Sequence, residues 1–243
     1  MYHSIDFYSV KTGVTKNTWE DFYLIPTSRP LINPPTKKIK TVDIPGANGV
    51  LDLTDSLTGY PLYNNREGTF EFIVDNGNEK WAVLYSEIMD FFSNNVFRIT
   101  LEDDPDYYYE GTCKVDSWVS NTDGTWSNLT IGYSVGPYKY EEETSSYLLL
   151  NNLNGISPIS NTFVLNDIGS APIHNVIFTV GGSDEGVTIK LNDTLTGMER
   201  EFQISNGITE CADISLVPLN GNVITTCTTG VGRAFIRFRK GGL

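Results

Sequence analysis

The chain has 243 residues, 40% hydrophobic, 12% aromatic and 19% charged, enough for one large β domain or two smaller ones with a substantial core. Its net charge is −13, from 17 basic and 30 acidic side chains, and no Lys/Arg cluster is dense enough to hold nucleic acid. No apolar run approaches the roughly 20 residues of a membrane helix. Residues 1–7 lack the basic and apolar regions of a secretory signal, so synthesis and retention in a cytoplasm are expected.

Alternation of apolar and polar residues dominates the first half and predicts strands over 2–7, 21–25, 38–44, 69–74, 96–101, 107–115 and 125–135. Within it, Thr41–Thr54 breaks at Pro45-Gly46, turns at Asn48-Gly49 and runs on as a second acidic, alternating stretch. Proline cannot donate to a ladder and glycine tolerates positive φ, so the segment leaves and re-enters extended structure at fixed points. One helix is expected over 78–92. Trp81, Leu84, Tyr85, Ile88, Met89 and Phe92 recur at three- and four-residue spacing, with Asn78 as cap before Glu79. Ser93-Asn94-Asn95 stands where a glycine would ordinarily end it.

The alternation lapses around Gly136-Pro137 and the acidic run Glu141–Glu143, which suits a linker at 138–146 between domains 1–137 and 147–243. Short strands follow at 147–150, 161–165, 173–180, 186–192, 199–204, 213–217 and 234–239, separated by Gly, Asn, Asp and Pro, as in an all-β sandwich. The charge is uneven. Residues 1–137 carry 10 basic and 19 acidic side chains (−9), and residues 138–243 carry 7 and 11 (−4).

No catalytic residue, cofactor or metal ligand set is expected. There is no Gly-x-Ser-x-Gly elbow, P-loop, His-Glu-x-x-His or dinucleotide fingerprint. Of the two histidines, His3 is terminal and His174 sits in an apolar strand run. Asp103-Asp104-Pro105-Asp106 reads as an acidic turn, since the glycine and terminal glutamate of a calcium loop are missing. Cys113, Cys211 and Cys227 form no Cys-x-x-Cys pair and read as free thiols, although Cys211 and Cys227 could meet across a sheet.

Several blocks in order carry a family resemblance: Trp19, Ser28-Arg29-Pro30, the run Val42–Thr54, Tyr63 with Asn65-Arg66, the helix, and Asp103 through Gly111. Residues 1 to about 137 thus resemble the distal tail proteins of long-tailed, non-contractile bacteriophages. Phe163–Ile173 is similar to the opening of their second domain. The resemblance implies a mainly β fold: a tail-tube-like β-sandwich or barrel with one helix, then a galectin-like or jelly-roll β-sandwich. It further implies a non-enzymatic virion protein of the tail tip. Six copies would form a ring that continues the tail tube and lets DNA pass, with tail-tube, tail-tip and receptor-binding proteins as partners. Cyclic assembly needs two different patches meeting head to tail. The segment 41–66, with Pro45, Gly46, Asn48, Gly49 and Arg66, is expected to form part of one.

Two other readings remain open: a carbohydrate-binding accessory module and a tail-tube protein proper, which would need only the first domain. Against the former, all four tryptophans lie in the first half. The second half offers Tyr138, Tyr140 and Tyr147 near its entrance, and the galectin-type His-x-Asn-x-Arg cluster is missing, since His174-Asn175 is followed by Val-Ile-Phe.

Overall fold

The computed structural model describes residues 3–46, 48–56, 58–75, 81–93, 95–120, 125–152, 159–182, 186–192, 199–218, 222–228 and 232–243. They form nineteen strands and one helix among the described residues. In chain order these are β1 (Ile5–Ser9), β2 (Thr15–Asn17), β3 (Leu24–Pro26), β4 (Thr41–Asp43), β5 (Val50–Asp52), β6 (Arg66–Asp75), α1 (Trp81–Phe92), β7 (Val96–Leu101), β8 (Tyr107–Ser120) and β9 (Trp126–Val135). Then come β10 (Lys139–Glu141), β11 (Ser145–Asn152), β12 (Ile159–Leu165), β13 (Ile173–Gly181), β14 (Val187–Asn192), β15 (Glu199–Ile204), β16 (Gly207–Leu216), β17 (Asn222–Thr228), β18 (Gly232–Phe238) and β19 (Gly241–Gly242). Two compact units result: residues 1–52, 62–140 and 243, and residues 53–61 with 141–242. The stretch read as a linker, 138–146, contains β10 and the start of β11.

In the first unit seven antiparallel strands run in the order β2-β1-β7-β8-β9-β6-β3. Alternation decides what they bury. Ile5 and Phe7, Phe97 and Ile99, Leu129 and Ile131, and Phe70 and Phe72 all point to one side and are buried. The sheet curls round them until its edges meet. The Leu24 amide donates to the Thr18 carbonyl at 2.8 Å, and the Ile5 amide donates to the Thr18 hydroxyl at 2.9 Å. Phe7 stands at the centre, with ring centroids 5.0 Å from Phe92, 6.0 Å from Phe97 and 6.4 Å from Phe70, all edge to face. The strand expected from residue 21 begins only at Leu24, because Asp21 and Tyr23 donate back to Asn17 and Trp19 in a turn where Tyr23 takes φ 54°.

Helix α1 is a 12-residue element without acidic residues in its first turn or basic ones in its last. A helix that short is marginal in water, so packing holds it. Ile88 and Phe92 are buried, with Leu84 and Phe91 packed against the same core. Tyr85 and Met89, expected in the buried stripe, lie on its exposed flank, Tyr85 edge to face with Trp118 at 5.1 Å. The expected cap, Asn78 and Glu79, lies outside the described residues, as does the Trp81 side chain. At the other end side chains do the work of a glycine cap: the Ser93 hydroxyl donates to the Asp90 carbonyl at 2.8 Å, and the Asn95 amide donates to the Phe91 carbonyl at 3.4 Å.

The second unit packs two four-stranded antiparallel sheets, β11-β18-β13-β16 and β12-β17-β14-β15, on one core. That interleaved order of eight strands is the jelly roll. Strand β17 has no counterpart in the sequence expectation. Its inward positions are Asn222, Ile224, Thr226 and Thr228, three of them polar, so the apolar alternation that marks strands is absent. The polarity has a partner. A bulge between Leu148 and Leu150 interrupts the β11 ladder at Leu149, and the Leu149 carbonyl instead accepts from the Asn161 amide at 3.0 Å and the Thr226 hydroxyl at 3.3 Å.

Two outcomes follow from this packing. Ile88→Ala should lower the unfolding free energy by about 2–5 kcal/mol, while Met89→Ala should stay within about 0.5 kcal/mol; urea denaturation followed by circular dichroism reads both. Equal losses would mean the helix presents another face to the sheet. We also propose that the units fold separately. A glutamate-specific protease should cut first in the exposed stretch 142–144, between β10 and β11, and leave two β-rich fragments. A resistant full-length chain would contradict this.

Candidate functional site

Among the described residues, strands β4 and β5 pair only with each other, in the register Thr41–Asp52, Val42–Leu51 and Asp43–Val50. The turn explains why they can. Gly46 and Gly49 take φ 84° and 85°, a left-handed backbone that side-chain-bearing residues resist, and open space surrounds both. Pro45 fixes the backbone on the approach. The root is anchored: the Lys38 amide donates to the Leu62 carbonyl at 2.8 Å, and the Asn64 amide to the Thr36 carbonyl at 2.9 Å.

Every strand residue of this ribbon is exposed. A two-stranded ribbon alone is at best marginal in water, and this one shows apolar side chains on both faces. Val42, Ile44 and Leu51 lie on one, and Val50, 57% exposed, lies on the other beside Asp43 and Asp52. Ile39, just before β4, is 73% exposed. An apolar ribbon held at its root and uncovered at its tip is the feature of this unit that most needs a partner.

Of the five residues singled out from the sequence, the structure brings four together: Pro45, Gly46, Asn48 and Gly49 form the ribbon's tip. Arg66 stands apart, 5% exposed at the start of β6. Its Nε donates to the Pro137 carbonyl at 2.8 Å, its Nη1 to the Asn33 carbonyl at 3.3 Å, and its guanidinium lies 5.2 Å from the Tyr109 ring centre. Beside it the Asn33 amide donates to the Tyr133 hydroxyl at 2.9 Å, and the Asn33 side chain donates to the Glu67 carbonyl at 2.8 Å. Arg66 therefore ties down the chain from which the ribbon springs. The apolar residues Val42, Ile44, Val50 and Leu51 lie inside the segment 41–66 expected to form a contact but were not among its five chosen residues, and Ile39 lies just outside it. Their signal was apolar residues in both parities, at 50 and 51, in a segment bounded by turn residues.

The outward face of the first unit's sheet carries a group of acidic side chains, with Val96, Val119 and Trp126 also exposed on it. Asp6, Glu67, Glu71, Glu110 and Asp116 alternate with the buried residues and face solvent, against Arg98 and Lys114. Two carboxylates are paired, Glu110 with Arg98 at 3.2 Å and Asp116 with Lys114 at 2.9 Å. A depression of about 670 Å3 opens beside Glu67, Thr69, Lys114 and Ser134.

The other titratable candidates are engaged in structure. His174 Nδ1 lies 2.9 Å from the Ser215 hydroxyl across two paired strands. His3 lies 3.2 Å from Asp103, whose other oxygen accepts from Arg29 at 2.7 Å. That guanidinium holds the Asp103 carboxyl below the usual range. Asp104 of the same turn pairs with Lys139. Among the described residues no three His, Cys, Asp or Glu side chains cluster as metal ligands would. Burial pushes the Cys113 thiol up to about 12. Cys211 and Cys227 form no disulfide and belong to different sheets, on β16 and β17. The three tyrosines that might have formed a sugar platform are packed: Tyr138 against Tyr63 at 6.1 Å, Tyr140 against Tyr108 at 6.0 Å, and Tyr147 stacked on Phe238 at 5.4 Å.

No protein-family model matches the chain, and no curated protein matches it. Among solved structures, the Dit protein (gp 19.1) of phage SPP1, described as a paradigm of the hub adsorption apparatus of phages infecting Gram-positive bacteria, is similar over 100% of both chains. The TM-score is 0.65 at 14% identity. A structure of infectious bursal disease virus, Gx strain, aligns with 98% of this chain and 66% of its own at 9% identity, with a TM-score of 0.18, too low to compare folds. The chain thus has the fold of SPP1 Dit, in both units and from end to end.

The division of labour between root and tip is measurable. Arg66→Ala should cost about 1.5–3 kcal/mol of stability, since it removes the hydrogen bonds that a buried charged group makes to the Pro137 and Asn33 carbonyls. Leu51→Ser should leave the unfolding free energy of the dilute protein within about 0.5 kcal/mol. A ribbon substitution that unfolds the protein at low concentration would show that Leu51 is core rather than contact surface.

Proposed function

We propose that this chain is a non-enzymatic hub of a phage tail tip, in which six copies of the first unit form a ring that continues the tail tube and surrounds a passage for DNA. The second units would stand outside the ring as docking points for receptor-binding and baseplate proteins. The chain would be made in the host cytoplasm and reside at the virion's tail tip. One observation carries the reading: the likeness to a phage hub protein spans both units and the full length of both chains. A tube protein would need the first unit alone. A sugar-binding module would need an exposed aromatic platform, and the tyrosines available for one are packed.

Two features of the first unit favour a ring. The ribbon β4–β5 exposes apolar surface that a neighbouring subunit would cover, and cyclic assembly needs such a patch to meet a different one. Pro45, Gly46, Asn48 and Gly49 would shape the contacting tip, with Arg66 holding its root. The sheet's outward face, rich in Asp6, Glu67, Glu71, Glu110 and Asp116, suits the wall of the passage. Phosphate and carboxylate repel, so DNA would slide without the Lys/Arg contacts that give non-specific affinity.

The same acidity works against assembly, because each subunit carries −13. Screening relieves that repulsion, with a Debye length of about 10 Å at 0.1 M falling to about 3 Å at 1 M. Sedimentation of the purified protein across a salt series should show a hexamer whose population grows with salt. A protein that stays monomeric at every concentration would overturn the ring. An assembly that falls apart as salt rises would overturn the electrostatic account and leave the ring standing.

A further inference from the structure

Asparagine followed by glycine occurs five times in the chain, and two of these pairs, Asn48-Gly49 and Asn206-Gly207, lie among the described residues. The pair matters chemically because a glycine nitrogen is the least obstructed nucleophile that a backbone can offer to the side-chain amide just before it. Both asparagines are exposed, yet the backbone holds the two glycines differently. Gly207 opens β16 and lies opposite Val180 in the ladder with β13. Turning its nitrogen onto the Asn206 side chain would first lift the strand end off that ladder, a local opening with its own cost.

Gly49 meets no such restraint. It stands one residue before β5, outside the β4–β5 ladder, and its amide donates to no backbone carbonyl among the described residues. A side chain at 49 would meet no atom within 4 Å, and φ is 85°, a conformation that other residues resist. No hydrogen bond holds the Asn48 side chain among the described residues. The nucleophile, the amide it attacks and the solvent that must reach both are therefore free together at the ribbon's tip.

We infer that Asn48 is a site of spontaneous deamidation. The Gly49 nitrogen gives its proton to solvent hydroxide and bonds to Asn48 Cγ. The side-chain nitrogen leaves as ammonia, taking its third proton from water, and a five-membered succinimide closes. Water then opens the ring at either carbonyl, leaving aspartate or, where the main chain now runs through Cγ, isoaspartate. One water enters, one ammonia leaves, and nothing is oxidised or reduced. The product adds a carboxylate to a chain already at −13, which raises the repulsion between copies. Its isoaspartate form also lengthens by one carbon the turn that joins β4 to β5, and turn length sets hairpin register. The consequence for assembly rests on the ring reading, in which a neighbouring subunit covers the tip. Covered, Gly49 loses hydroxide and room to swing, so assembled copies keep Asn48 while free ones lose it with time.

Peptide mapping of the full chain, incubated dilute at mildly alkaline pH, tests the chemistry. Fragmentation of the tryptic peptides 41–66 and 201–233 places the mass gain of an amide-to-acid exchange. Asn48 should convert about five-fold or more faster than Asn206, whose ladder must open first, and the product should accept methyl groups from an isoaspartyl methyltransferase. Gly49→Ala, which crowds the nitrogen and disfavours its backbone conformation, should slow conversion at 48 about five-fold or more; circular dichroism checks that the variant is folded. Equal rates at 48 and 206, or no mass gain at 48, would overturn the inference. Concentration then separates it from the ring, because an intramolecular reaction keeps one rate until assembly covers the site. Slower conversion where sedimentation shows the ring supports protection of the tip. Equal rates in monomer and ring would show the tip uncovered and overturn that protection, with deamidation standing. A chain that never assembles overturns the ring alone, since the dilute incubation still decides for or against Asn48.

Discussion

Seven alternating strands present one apolar face, and they can remove it from water only by curling it inward on itself. The geometry of the first unit follows from that closure. Phe7 occupies the centre, the phenylalanines of β6, β7 and α1 meet it edge to face, and Thr18 fastens the two sheet edges together. Each large side chain buried there is worth roughly 1.5–3 kcal/mol, so the curl is set by hydrophobic packing and the Thr18 bonds complete it. The helix is drawn in by the same core, since its own propensity is too weak to hold twelve residues.

Closure has a consequence for the chain between β3 and β6. Residues 27–65 have no slot in the finished sheet, and from among them 41–52 form the ribbon. Arg66, Asn33 and Tyr133 fix the point of departure with hydrogen bonds between 2.8 and 3.3 Å, so the tip is carried by a rigid root. Interaction surfaces concentrate on segments so placed. The jelly roll meets a related problem in another way. Its two sheets cover each other's inner faces, and one outer face keeps a row of Leu148, Phe235 and Ile208 that packing within the unit leaves partly exposed. Surfaces left uncovered by efficient folding of each unit are where association acts.

The sequence carried much of this because alternation was clean. Val96–Leu101 and Glu199–Ile204 could be read to the residue, since their inward positions, Phe97, Ile99 and Leu101 in one and Phe202 and Ile204 in the other, share one parity between turn residues. Strand β17 could not, because Asn222, Thr226 and Thr228 face inward, and Asn222 and Thr226 satisfy carbonyls rather than fill volume. Burial of a polar side chain leaves no trace in a hydrophobic pattern. The helix was legible as an element but its buried face was set a few tens of degrees away. Phe91 packs inward and Tyr85 and Met89 do not, a choice made by the sheet beneath. At the ribbon, Pro45, Gly46, Asn48 and Gly49 announced a turn through backbone chemistry alone. That Arg66 would be buried depended on carbonyls at 33 and 137, far off in the chain, which no local pattern reveals.

The central claim is that the β4–β5 ribbon is a contact element, complete only when another surface covers it. Hydrogen exchange of the amides of 41–43 and 50–52, followed over a range of concentrations of the full-length protein, tests it most directly. The account predicts fast exchange in the dilute monomer and protection that rises with association, while β6 and β9 stay protected throughout. Ribbon amides that exchange at one rate across the assembly transition, or that are already protected in the monomer, would contradict it.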